Sequence, residues 1–227
     1  MRIGTMKQLA GAALVATVVA FAATPADAAF KLSIDTNGQI GTSAAVQVTD
    51  NQGGDLSALP GVIVWSGTLN NFTVIVSTGQ SKPAIGNAAN SIIDSNFTAT
   101  GVGTITFALT DTGFTAIGNG GGSTDIGGTA AGTLSALAYF DGSNAEFGKG
   151  TLISALGPFT GGGAFSAKGS TTGLKGTPFS LTSIVTITHL PGLFNTTTGD
   201  HNVRVPEPAL LALFGLGLLG VARRRRR

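Results

Sequence analysis

From Gly103 to Thr110 the side chains alternate without a break, with Ile105, Phe107 and Leu109 set against Thr104, Thr106 and Ala108. Apolar residues at every second position share one face of an extended chain, whereas a helix scatters them around its circumference. The same period of two recurs along the chain: Phe30, Leu32, Ile34; then Phe72, Val74, Val76; then Leu134, Ala136, Ala138, Phe140; then Val185 and Ile187. A chain patterned in this way is confined to half-buried strands that close over a shared core.

The spaces between these runs carry turn chemistry. Asn37-Gly38, Asn70-Asn71 and Asp141-Gly142 are expected to reverse the chain, the last as a hairpin whose partner strand is 146–154. Further strands are expected at 44–49, 62–66, 92–98, 164–168 and 179–190. Asp111-Thr112-Gly113 reads as the end of one strand and 114–117 as the start of another. Residues 118–128, rich in glycine, read as a long flexible loop. Glycine takes 30 of the 177 positions from 29 to 205, over twice the usual ~7%. Threonine takes 27. This composition disfavours helices and suits short strands joined by tight turns. Nine to eleven strands without an internal repeat predict an all-β, antiparallel β-sandwich or jelly-roll-like domain.

The two ends obey different rules. Arg2 and Lys7 precede an almost wholly apolar stretch from Leu9 to Ala23, and Ala26-Asp27-Ala28 follows it. That order predicts a secretory signal peptide over 1–28, cut by signal peptidase between Ala28 and Ala29, with Met1 and Met6 both acceptable starts. At the other end, residues 209–222 hold 14 positions with no polar side chain, and Arg223, Arg224, Arg225, Arg226 and Arg227 close the chain. As a helix this run reaches about 21 Å. That is short for a hydrocarbon core of about 30 Å, but arginine stems and local thinning accommodate the difference. The arginines stay on the cytoplasmic side, so the body is expected across the membrane from them. Gly215-Leu216-Gly217-Leu218-Leu219-Gly220 matches G-x-G-x-x-G in letters only. It has no strand before it and no acidic residue after it, so it reads as small residues in a membrane helix.

Ahead of the apolar run stand Val205, Pro206, Glu207 and Pro208. Two prolines hold this tetrapeptide extended and outside any helix, a stiff handle shaped for a protease cleft. Val-Pro-Glu-Pro, a short apolar helix and a terminal arginine cluster resemble the PEP-CTERM sorting signal. The same type of tail is also described as an ice-binding-protein C-terminal domain. The resemblance covers about residues 205–227. It implies recognition by exosortase, a membrane-embedded enzyme, with cleavage near Pro-Glu-Pro, transient residence in the inner membrane of a Gram-negative bacterium that makes exopolysaccharide, and a final place on or outside the cell. The expected organisation is a signal peptide (1–28), a β-sandwich ectodomain (29–194), a linker (195–204) and the sorting signal (205–227).

With both signals set aside, residues 29–205 carry six basic and nine acidic side chains, a net charge of −3. The basic character of the whole chain therefore belongs to its ends, and no nucleic-acid footprint is left. Cysteine is absent, which excludes disulfides, a thiol nucleophile and cysteine metal sites. His189 is read as a structural residue at a strand end and His201 as a solvated linker residue, and two histidines without cysteine make a poor transition-metal set. Asp50, Asn51 and Asp55 share a glycine-bearing loop that lacks the EF-hand order, so turn chemistry is preferred over calcium. The stretch from Gly120 to Asp125 resembles one calcium β-roll nonapeptide, without its repeat. The pairs Thr104/Thr106 and Thr186/Thr188 are too isolated for an ice-binding array. No G-x-S-x-G elbow is present. The sequence thus predicts no catalytic, cofactor or metal residue. It predicts a non-enzymatic surface or matrix protein that meets exopolysaccharide or matrix proteins. Two alternatives stay open: a secreted carbohydrate-active enzyme on a jelly-roll scaffold, and a membrane-anchored protein that is never cleaved.

Overall fold

The computed structural model describes residues 29–115, 120–192 and 195–206. The expected signal peptide with Ala28, and the tail from Glu207 through Pro208 to the five arginines, lie outside the described residues.

Among the described residues, twelve strands build two antiparallel sheets of six. The first sheet runs in the order β2 (Val46–Thr49), β1 (Lys31–Asp35), β6 (Gly103–Phe114), β11 (Phe179–His189), β8 (Thr133–Asp141), β9 (Thr151–Phe159). The second runs β10 (Gly163–Leu174), β7 (Gly120–Ala130), β12 (Thr196–Val205), β5 (Ser91–Gly101), β4 (Phe72–Gln80), β3 (Val62–Leu69). The alternating residues do what their spacing demands: Ile105, Phe107 and Leu109 of β6 are buried against Ile93, Phe97 and Ala99 of β5 from the facing sheet, with Phe97 and Phe107 stacked at 5.8 Å. Phe114, Phe140 and Phe179 form a second aromatic group, with Phe140 and Phe179 ring centroids 4.5 Å apart. Asn70 and Asn71 turn β3 into β4 in two residues, with Asn70 at φ +51°, the left-handed geometry asparagine tolerates in a tight hairpin.

Four expectations are corrected. Residues 195–204, expected as a linker, are almost wholly β12, which lies between β7 and β5 in the middle of the second sheet, so the folded body reaches Val205. Most of the expected loop at 118–128 is β7, paired on both sides. Its glycines admit neighbouring rings: a side chain on Gly128 (φ +155°) or on its cross-strand partner Gly199 would strike the Phe165 ring, and one on Gly199 would also strike Phe97. β6 does not stop at Asp111 but runs on to Phe114. Asp141-Gly142 does not close a tight hairpin, because the partner strand starts only at Thr151; Asp141 instead accepts hydrogen bonds from the Ser143 backbone and hydroxyl.

Strand direction sorts the connections into two poles. Ala29 donates its backbone N–H to Thr112 Oγ1 (2.9 Å), Thr115 bonds to Ala88, and Ser91 pairs with Val205. Ala29, where the expected signal peptide would join the body, and the point where the sorting motif leaves it therefore share one pole. The β3–β4, β5–β6, β7–β8 and β11–β12 connections lie at the other.

Candidate functional site

β12 places the sorting motif. Val205 is buried and held opposite Ser91, and Pro206, next in line, is exposed. The handle therefore starts flush with the body, without the spacer expected before it. Ala29, the expected mature N-terminus, is tied to β6 at the same pole.

The outward face of the second sheet carries a polar surface built by five adjoining strands. Strand register lines up Lys168, Asp125, Asn202, Asp94 and Gln80 across five strands, and Ser166, Gly127, Asp200, Asn96 and Thr78 in the next row. The amides organise the carboxylates: Asn96 donates to Asp94 Oδ2 (2.8 Å) and Asn202 to Asp94 Oδ1 (3.1 Å). Arg204 donates through Nε to Asn202 and lies 3.8 Å from Asp125. Thr100 and Thr196 share a hydrogen bond of 2.9 Å further along. Partial burial raises the Asp200 carboxyl above its ordinary range, and the charges of Asp94 and Asp125 push it the same way. This surface is rich in hydrogen-bonding groups, with the carboxylates of Asp94, Asp125 and Asp200 beside the cations Lys168 and Arg204. It suits a ligand that offers many hydroxyl donors. Apart from Asp125, read from sequence in another role, none of these residues stood out in the sequence, because outward polar positions on a strand look alike until register aligns them.

The residues singled out from sequence are otherwise engaged. His189 is buried and fully bonded: Nδ1 donates to the Gly101 carbonyl (2.9 Å), so Nε2 accepts from Thr197 Oγ1 (2.7 Å), which in turn accepts the Ala131 N–H. Burial holds its pKa below the ordinary histidine value. His201 is not solvated; it is 0% exposed between the sheets, with Nδ1 2.7 Å from Ser183 Oγ. Burial lowers its pKa to about 4. In the Asp50–Asp55 loop the carboxylates accept backbone N–H groups: Asp50 from Gly61, and Asp55 from Asn51, Ser57 and Val64. Turn and loop bracing accounts for Asp55 and for Asp50 Oδ2, while Asp50 Oδ1 is buried without a partner among the described residues. Asp125 belongs to β7 and its polar row, not to a calcium-binding turn. Thr104 bonds to Thr188 (3.0 Å) and Thr106 to Thr186 (3.3 Å), so these hydroxyls meet each other across β6 and β11. Among the described residues, no group of three or more His, Cys, Asp or Glu is arranged to hold a metal ion, and no helix is long and apolar enough to cross a membrane.

Fold and termini together define an all-β sandwich body carried ahead of a C-terminal sorting tail. The PEP-CTERM protein-sorting motif matches residues 204–227, which begins two residues inside β12. The match supports export, transient processing at the membrane and recognition by exosortase. A comparison with curated proteins finds no match.

Proposed function

We propose that the protein is a non-enzymatic component of the extracellular matrix. In this reading exosortase cuts it at Val205-Pro206-Glu207-Pro208, and the second sheet's open face then meets exopolysaccharide at the cell surface or beyond it. The observation that carries the reading is the registered polar face built by Asp94, Asn96, Asp125, Asp200 and Asn202. Carboxylates accept hydrogen bonds from sugar hydroxyls and amides both accept and donate, and a face that runs across five strands matches an extended polymer. Glycoside hydrolysis places two carboxyl groups on either side of a held bond; Asp94, Asp125 and Asp200 instead share the outward face of one sheet, which favours binding.

The test is affinity electrophoresis of the mature protein through gels containing exopolysaccharide from the producing cell. Retardation is expected, and the Asn96→Ala/Asp200→Ala pair should weaken it by about tenfold, the loss of a few net hydrogen bonds. Unchanged mobility of the native protein, or shortening of the polymer, contradicts the proposal.

A further inference from the structure

Asp111 and Lys82 face each other where the two sheets meet at the processing pole. Asp111 sits on β6 of the first sheet with its side chain turned into the core and 0% exposed. Lys82 follows β4 of the second sheet by two residues and is nearly buried. Lys82 Nζ lies 2.7 Å from Asp111 Oδ2 and 2.5 Å from the Thr112 carbonyl oxygen, and the Phe114 ring covers it from 3.9 Å. Two more donors fix the carboxyl group: Thr112 N–H on Oδ1 (2.7 Å) and Ser81 hydroxyl on Oδ2 (2.5 Å).

We infer that Lys82 and Asp111 condense into an intramolecular amide, a covalent staple between the two sheets of a cysteine-free exported protein. The parts for acyl transfer are in place. Proton transfer within the pair turns ammonium and carboxylate into amine and carboxylic acid. Burial favours that exchange, since it lowers the lysine's pKa and raises the aspartate's, against the attraction between the two charges. The neutral amine is the nucleophile. As Nζ bonds to Cγ, negative charge builds on Oδ1, where the Thr112 N–H already points. A second proton passes from Nζ to Oδ2, 2.7 Å away, while the Ser81 hydroxyl holds that oxygen in place; the Cγ–Oδ2 bond breaks, and Oδ2 leaves as water. Nothing is oxidised or reduced. The remaining amide N–H keeps the Thr112 carbonyl as its acceptor.

Intact-mass spectrometry of the exported protein tests this. The native chain should weigh one water less than its sequence, and digestion should yield a branched peptide joining the segments around Lys82 and Asp111. Lys82→Arg keeps the charge but cannot form the amide, so it should show the full mass and a lower melting temperature. Ser81→Ala should delay the water loss in freshly made protein. A native chain at full mass, with both segments recovered as linear peptides, overturns the inference. If Lys82→Arg fails to fold, the native mass still decides.

Discussion

His201 occupies a position where the core demands an uncharged ring. Its Nδ1 has Ser183, its Nε2 has no partner among the described residues, and burial keeps its pKa near 4. The unfolded chain restores a value near 6.5, so the unfolded state takes up the proton first as the solution is acidified. Stability fully present above pH 6.5 is therefore lost as the pH falls toward 4, by about 3 kcal/mol at about 1.36 kcal/mol per pKa step. Denaturant titrations at pH 7, 5.5 and 4 read this directly, approximate pH points chosen to bracket the two values. His201→Gln should flatten the slope, and an unchanged slope would contradict the assignment. Phe179 tests the core in a different way. It is fully buried and touches both Phe114 and Phe140, so Phe179→Ala should lower unfolding free energy by about 3–5 kcal/mol. A loss under about 1 kcal/mol in urea unfolding would mean that this aromatic group is not packed as described.

At the scale of the element, β12 decides the most. It joins β7 to β5, and without it the second sheet falls into two pieces with open edges. A chain ending at residue 194 should lose cooperative thermal unfolding and its near-ultraviolet circular dichroism. A chain that melts cooperatively without β12 would restore the linker reading. The contrast with β6 explains what was legible. β6 turns Ile105, Phe107 and Leu109 inward, and large apolar side chains announce the period. β12 turns Thr197, Gly199, His201, Val203 and Val205 inward. The period of two is present, but polar and small residues fill half of it, because their partners are His189, Ser183 and the rings of Phe97 on β5 and Phe165 on β10. β7 was hidden in the same way by Gly122 and Gly128. Turn chemistry was readable where it is local, as at Asn70-Asn71. It misled at Asp141-Gly142, where the aspartate braces a longer loop instead of closing a hairpin. The polar face of the second sheet was not readable from sequence at all, since it exists only once five strands are in register.

For the whole molecule, the pairing of the poles matters most. The junction at Ala29 and the exit at Val205 lie together, so a body held by its sorting tail turns the opposite pole away from the membrane and leaves the sheet faces open on its flanks. No spacer separates the last strand from the motif. Cleavage upstream of Val205 would cut into the sheet, so the cut is expected at or after the Val205–Pro206 bond. The direct measurement is C-terminal mass spectrometry of the mature protein from cells with and without exosortase. The account predicts a chain ending close to residues 205–208 when exosortase is present, and one still bearing Arg227 when it is removed. Arg227 on the surface form from exosortase-containing cells would contradict it.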